Sequence, residues 1–441
     1  MKSKHVVFFL TSSGLLRFFL PVITELENRG HNVTTVLVGK LRRARHKISA
    51  GEVPPNLNVV RIPVPIQKSA LALWVEQLLG YIAYLKNKND DVSYVAQRWI
   101  SRAPRWTQWL LMHRFFQKLL LRSENVLRFY RQSRVVDDNM KQFILQLQPD
   151  VAVGSTYVEM SPEAEYIKAC VDLNIPTVYC MASWDNLVTK GTILDDVNRV
   201  IVWNEINAQQ AHHLHSVPLN RISILGSPYF EQWVQLHSQL DYQQFVEMVG
   251  IPAGKTYAVY LCSSGSLGDD EAIYIRDIRA TLDIDLHLVV RPHPSAAAQF
   301  VTELQDEEGI TVYPVGGELT YTADARMMLF HTLHYAVAAI GLNTSAFLEA
   351  CIVNTPCVTL LTPYAHDRLR RFPHYKQLRE GQFIYYADDV SSFKQIMRDL
   401  QNGEHIHRQA QQTFIQNFVF PVVGKTPSES IADQLLLEAR T

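Results

Sequence analysis

Two consecutive doubly wound α/β domains facing a cleft, the first carrying a helical insert, are the architecture this sequence predicts. Three observations carry that expectation. Short apolar runs alternate with helical patterns along the chain, the series pauses at a polar stretch ending in Gly250-Ile251-Pro252, and 441 residues exceed what one hydrophobic core supports. Strands that alternate with helices imply mostly parallel sheets with right-handed crossovers.

In the first half, His5 to Leu10 reads as a buried strand. A Thr11-Ser12-Ser13-Gly14 turn, an apolar helix to about residue 29 and a second strand at Val33 to Val38 follow it. Further strands are predicted at Asn58 to Ile62, Val151 to Gly154, Thr177 to Cys180, Val200 to Trp203 and Ile222 to Leu225, with a helix over Pro162 to Leu173 and a long helical insert over about 67–148. The second half repeats the pattern at Tyr257 to Cys262, Leu286 to Val290, Val312 to Val315, Ala336 to Ile340, Cys357 to Leu361 and Phe383 to Tyr386. The expected domains are 1–228 and 229–424, with 425–441 as a helix returning to the first domain.

Composition narrows the function. Hydrophobic residues at 47% and charged residues at 19% mark a folded globular chain. Lys plus Arg (42) nearly cancels Asp plus Glu (43), which argues against a nucleic-acid binder. Five scattered cysteines in apolar runs read as small buried hydrophobes of a reducing compartment. The apolar run after Lys4 is shorter than the ~7 to 15 residues of a signal-peptide core. Nowhere do about 18 consecutive apolar residues occur, so no membrane-spanning helix is expected and the chain reads as cytoplasmic.

Ligands of open α/β sheets sit beyond the carboxyl ends of strands, so the loops after the predicted strands are the ones to read. Gly341-Leu342-Asn343-Thr344-Ser345 joins a strand to a helix start, where a glycine admits close backbone approach and free amides and hydroxyls suit a phosphate. Glu349 returns to the same helix face, placed for ribose hydroxyls. An Asn or Thr cap beside a solvated Glu349 is the plainer reading of the same residues. Arg291-Pro292-His293-Pro294 holds a guanidinium and an imidazole at a strand end through two prolines, again suiting phosphate oxygens. A structural Arg–carboxylate pair with a turn histidine is its alternative. Ser264 and Gly265 in one half, and Ser12, Ser13 and Gly14 in the other, are small-residue loops fit for a phosphate or sugar, though any tight turn needs such residues.

The acid/base candidate follows the fifth strand. In Ala182-Ser183-Trp184-Asp185-Asn186-Leu187-Val188-Thr189-Lys190-Gly191, Trp184 reads as a platform, Asp185 as the base for an acceptor hydroxyl and Lys190 as its charge partner, with Asn186 beside them. His212 and His215 stand at helical i, i+3 with no paired carboxylate or cysteine, so an exposed helix face is expected there. Neither a metal nor a cofactor is expected. No Gly-x-Ser-x-Gly setting supports hydrolase chemistry.

Between Arg98 and Arg134, eight arginines and Lys118 stand against the one acid Glu124, a net charge of +8, with Trp99, Trp106, Trp109, Phe115, Phe116 and Phe129 interleaved. An interfacial helix on an anionic membrane surface uses that pattern. So would a partner helix, an anionic glycan or core packing.

Taken together, the two Rossmann-like halves, the RPHP turn and the GLNTSAFLEA loop resemble glycosyltransferases of the GT-B fold. That superfamily takes in UDP-N-acetylglucosamine 2-epimerases and bacterial polymer-building transferases. The resemblance spans nearly the full chain outside the insert. ASWDNLVTKG with VWNE at Val202 to Glu205 looks like bacterial surface-polysaccharide glycosyltransferases, and is also similar to the Trp-His-Gly segment of teichoic-acid glycerophosphotransferases. The resemblance implies donor phosphate on Arg291 and His293, phosphate held from the helix start by Thr344 and Ser345, and ribose on Glu349. Asp185 stands where those glycerophosphotransferases have a histidine, and a carboxylate performs the same proton transfer. The expected activity is metal-independent transfer of a sugar from a nucleotide donor to a glycan or lipid-linked acceptor. Epimerisation, polyol-phosphate transfer and a non-catalytic glycan-binding module are the competing readings.

Overall fold

Each apolar run becomes a strand because a sheet covered on both faces by helices asks for continuous Val, Ile, Leu and Phe rather than alternation. The computed structural model describes residues 2–11, 13–38, 57–61, 68–86, 100–101, 103–155, 162–189, 192–193, 197–263, 271–283, 285–294, 297–320, 322–342, 344–371 and 375–440. Ser12, Lys190, Ser264, Gly265 and Asn343, together with Arg98, Trp99 and Arg102, lie outside them.

The chain divides into two compact units, 1–231 with 418–441, and 232–417. In the first unit β1 (His5–Leu10), β2 (Asn32–Leu37), β3 (Asn58–Arg61), β4 (Val151–Gly154), β5 (Thr177–Cys180), β6 (Arg199–Val202) and β7 (Ile222–Ile224) form one parallel sheet in the order β3-β2-β1-β4-β5-β6-β7. In the second, β8 (Thr256–Leu261), β9 (Leu286–Arg291), β10 (Ile310–Val312), β11 (Ala339–Gly341), β12 (Cys357–Leu360) and β13 (Ile384–Ala387) pair in the order β10-β9-β8-β11-β12-β13. Both sheets reverse direction of growth once, between β1 and β4 and between β8 and β11. Such a switch point is where a crevice opens in a doubly wound sheet. β10 lies earlier than predicted and ends before Pro314, which has no N–H to give a ladder.

The return to the first unit falls at Phe418, earlier than the expected 425. Asn204 Nδ2 donates to the Phe418 carbonyl at 3.0 Å, and Ser227 N donates to the Val419 carbonyl at 2.9 Å. The last helix, Pro427–Glu438, carries a capping box at Thr426 and Glu429 and buries Ile431, Ala432 and Leu435 among residues of β1 and β4.

The insert supplies helices α1 (Ala70–Lys86), α2 (Arg105–Leu111), α3 (Arg114–Arg122), α4 (Glu124–Ser133) and α5 (Asp138–Leu147). Val75, Leu78, Leu79 and Ile82 of α1 pack with Leu111 and Leu120 into a small core of their own. The basic residues of the insert do not all face outward. Arg128 is buried between Glu124 Oε1 at 2.9 Å and the His215 carbonyl at 3.1 Å. Arg131 is buried on Thr192 Oγ1 at 2.7 Å and the Ile193 carbonyl at 2.8 Å, while Arg134 pairs with Glu165. Burying a guanidinium is costly unless its donors find acceptors, and with these acceptors the three brace the insert on the unit.

His215 is corrected as well. It is buried rather than exposed, its Nε2 2.7 Å from the Leu187 carbonyl while its Nδ1 accepts from Ile193 N at 3.4 Å. Burial lowers its pKa to about 4, so it works as a neutral link to the loop after β5.

Gly226 (φ +82°) lies where the loop after β7 meets the returning segment, and a Cβ there would stand 2.5 Å from the Val419 carbonyl. Gly226→Ala is expected to lower stability by roughly 2–3 kcal/mol, read as a fall in the guanidinium midpoint with unchanged slope.

Candidate functional site

In the second unit the site begins from strand register. Leu261 pairs with Arg291 on one side and with Gly341 on the other, so the carboxyl ends of β9, β8 and β11 form one row across the switch point. Loops leaving that row carry His293, Ser263 and Thr344.

Arg291 ends the fully buried run LHLVVR and is itself 6% exposed. Its Nη1 and Nη2 are buried with no hydrogen-bond partner among the described residues. Burial pulls its pKa down to about 10, opposed by the charges of Glu318, Tyr313 and Glu349. A guanidinium with open donors in a dry place is costly, and an anion bound between those donors removes the cost. Neither Glu318 nor Tyr313, in the loop after β10, is a residue that the sequence singled out. His293 is half-buried, and desolvation lowers its pKa, which favours a neutral imidazole. Its turn is held from behind: Gly317 (φ +61°) lies so close that a Cβ would meet Pro294 Cα at 2.8 Å.

Ser263 donates its Oγ to the Leu342 carbonyl at 2.6 Å, tying the ends of β8 and β11 together. Its amide donates to Glu271 Oε1 at 3.0 Å, and Tyr260 Oη donates to the same oxygen at 3.0 Å. Glu271 starts the helix α6 (Glu271–Thr281), is 4% exposed, and has its pKa raised by burial to about 7. Tyr260 and Ser263 partly oppose that rise.

Around β11 the structure redistributes the expected roles. At Gly341 a Cβ would meet the Leu261 carbonyl and Thr344 Cγ2, each at 3.1 Å, so packing within the protein also favours a glycine there. Thr344 is buried and its Oγ1 accepts from Ala346 N at 3.3 Å, a local turn bond just before the helix, whose cap residue is Ser345. Ser345 is exposed at the start of the helix α7 (Ala346–Ile352), and Glu349 on that helix is half-buried and acts electrostatically on Arg291.

In the first unit, Asp185 follows β5 and is half-buried. Its Oδ1 accepts from Ser183 Oγ at 2.5 Å and its Oδ2 from Thr189 Oγ1 at 2.8 Å, contacts that fix the orientation of the carboxylate. Two neighbours depart from their expected roles. Trp184 is 1% exposed with its ring against Phe418, centroids 5.9 Å apart, so it is core and offers no platform. Asn186 is buried, with Nδ2 3.4 Å from the Ser155 carbonyl, and serves packing of the loop. Tyr84 of α1 fastens the same loop by donating its hydroxyl to the Val188 carbonyl at 2.8 Å. Ser13 opens a 3-10 turn, Ser13–Phe18, in which Gly14 is buried.

Glu163, 1% exposed, is the main residue of this unit that sequence reading passed over. It accepts from the Ser155 amide and from Thr11 Oγ1, the latter at 3.1 Å, joining the ends of β4 and β1. The signal was present as a repeated spacing: a serine one or two residues past a strand and a glutamate eight residues later, Ser155 with Glu163 and Ser263 with Glu271. Among the described residues no group of His, Cys, Asp or Glu is arranged to hold a metal ion.

This architecture is the two-domain α/β GT-B fold. No protein-family model matches the sequence, and no curated protein sequence matches it significantly. Solved structures do match. A UDP-GlcNAc 2-epimerase from Neisseria meningitidis bound to UDP-GlcNAc superposes with a TM-score of 0.58 at 10% identity, covering 98% of this chain and 100% of that one. One from Methanocaldococcus jannaschii in complex with UDP-GlcNAc and UDP gives 0.52 at 11% identity, over 98% and 99%. A glycosyltransferase from Rickettsia africae gives 0.54 at 10% identity, over 99% of each chain.

Glu271→Gln tests the buried carboxyl. The folded pKa lies above the unfolded value, so the wild type loses stability relative to the variant as pH rises from 4.5 through about 7. The gap in unfolding free energy is expected to grow to the order of 3 kcal/mol and then level off, as read from denaturation series at stepped pH.

Proposed function

We propose that the chain is a glycosyltransferase that moves a sugar from a nucleotide-activated donor to a hydroxyl of a glycan or lipid-linked acceptor, in bacterial surface-polysaccharide synthesis. The observation that carries the donor half is Arg291, whose terminal nitrogens are buried at a strand's carboxyl end without a hydrogen-bond partner among the described residues. A diphosphate suits that donor pair, with His293 and Ser345 beside the same row of strand ends. Glu349 serves the ribose in this reading.

In the reaction, Asp185 takes the proton of the acceptor hydroxyl as its oxygen attacks the anomeric carbon. The bond from that carbon to the phosphate oxygen breaks, and the nucleoside diphosphate leaves with its charge offset by Arg291. Ser183 and Thr189 hold the Asp185 carboxylate in one orientation. No step requires a metal or a cofactor.

Epimerisation is the second reading, favoured by the fold likeness to proteins named UDP-GlcNAc 2-epimerases. Product analysis separates the two: an epimerase converts a nucleotide sugar with no acceptor present, and a transferase releases nucleotide only with one.

Three outcomes are expected. In thermal-shift screening of UDP, GDP, CDP, CMP and ADP, at least one nucleotide raises the melting temperature; none doing so sinks the donor reading. Arg291→Gln weakens that nucleotide about 10- to 100-fold by calorimetry, without loss of ligand-free stability. Asp185→Asn abolishes transfer while nucleotide affinity stays within about twofold, and unchanged turnover removes Asp185 from the mechanism.

A further inference from the structure

We infer that the outward face of α2 and α3 docks the first unit on an anionic lipid surface. Once Arg128, Arg131 and Arg134 are assigned to the interior, the remaining charges of the insert separate cleanly. From 103 to 123 the charged residues are Arg105, Arg114, Lys118 and Arg122, with no acid among them, and all four are exposed.

The same face exposes large apolar groups. Trp106, Trp109, Met112, Phe115 and Leu119 range from 53% exposed at Leu119 to 72% at Phe115. Scattered single apolar residues are ordinary on a protein surface, but these are continuous. Trp109 stacks edge-on to His113 at 5.2 Å, His113 meets Phe116 at 6.5 Å, and Phe116 meets Phe115 at 5.3 Å. On α3, Phe115, Lys118, Leu119 and Arg122 recur at i, i+3, i+4 and i+7, so aromatic, aliphatic and cationic groups share one stripe.

Charge selects the occupant. A second copy of this chain would bring four like charges against four, which repel across a two-fold contact. A bilayer carrying anionic headgroups attracts them, while tryptophan rings sit by preference at the headgroup level. None of the described helices is long and apolar enough to cross a membrane, and α3 has nine residues, so the face lies in the plane of the interface.

The inference stands apart from the sugar-transfer reading. Vesicle binding reports on the insert of the first unit, whereas nucleotide affinity reports on Arg291. The test is co-sedimentation of the full chain with vesicles of phosphatidylcholine alone, or of equimolar phosphatidylcholine and phosphatidylglycerol. Recovery in the pellet is expected only with the anionic vesicles, and should fall as salt is raised. Trp109→Ser/Phe115→Ser should abolish it, and Arg114→Gln/Lys118→Gln should lower partitioning roughly fivefold per cation removed. Val423→Ser, an exposed apolar position off this face, should leave recovery unchanged. Circular dichroism melts identical to wild type establish that the exposed-site variants are folded. No pelleting with either vesicle, equal pelleting with both, or a patch variant that binds like wild type overturns the inference. So does light scattering in which the patch variants convert an oligomer to a monomer, which would assign the face to a second copy.

Discussion

Two buried glutamates hold the strand ends on which everything else in these units is arranged. Glu163 takes the amide of Ser155 and Glu271 takes the amide of Ser263, each from the first turn of the following helix. An amide just past a parallel strand has left the ladder and needs a partner, and a helix start favours negative charge. One carboxylate meets both needs. Its burial is expensive, and the second unit tempers that expense through proton uptake near neutrality by Glu271. Because the clamps sit beside the switch points, β1 is joined to β4 through Thr11, and β8 is joined to β11 through Ser263 and Leu342. The row of Arg291, Leu261 and Gly341 inherits its rigidity from that join.

Arg291 has the opposite standing. The clamps are satisfied hydrogen bonds, whereas its guanidinium is held dry with open donors, a state that is stable only because surrounding packing over-determines it. In the proposed donor reading this makes the site preorganised, since the charge is already desolvated before an anion would arrive. Nearby Glu318 and Glu349 moderate the penalty by electrostatics alone.

Charge in the insert illustrates how a linear pattern divides in three dimensions. Arg128 and Arg131 look like Arg114 and Arg122 in the sequence, with similar aromatic neighbours. The first two face the unit and meet Glu124, Thr192 and carbonyl groups; the latter two face outward. Only the path of the chain around α4 separates them, because a helix presents each of its faces to a different environment.

The sequence alone determined the strand series, the two-unit plan and the positions of Arg291, His293 and Asp185 at strand ends. Apolar runs, turn residues and their alternation are local signals, and strand ends are where such sheets bind ligands. Tertiary structure decided what each side chain does there. Trp184 reads as a platform until Phe418 packs against it, and Gly341 reads as a glycine kept for a ligand until the nearby Leu261 carbonyl supplies a second reason for it. His215 reads as a surface histidine until the loop after β5 closes over it. Burial and hydrogen-bond partners come from segments distant in the chain, so they are properties of packing. That is why the location of the candidate site was legible in the sequence and the division of labour among its residues was not.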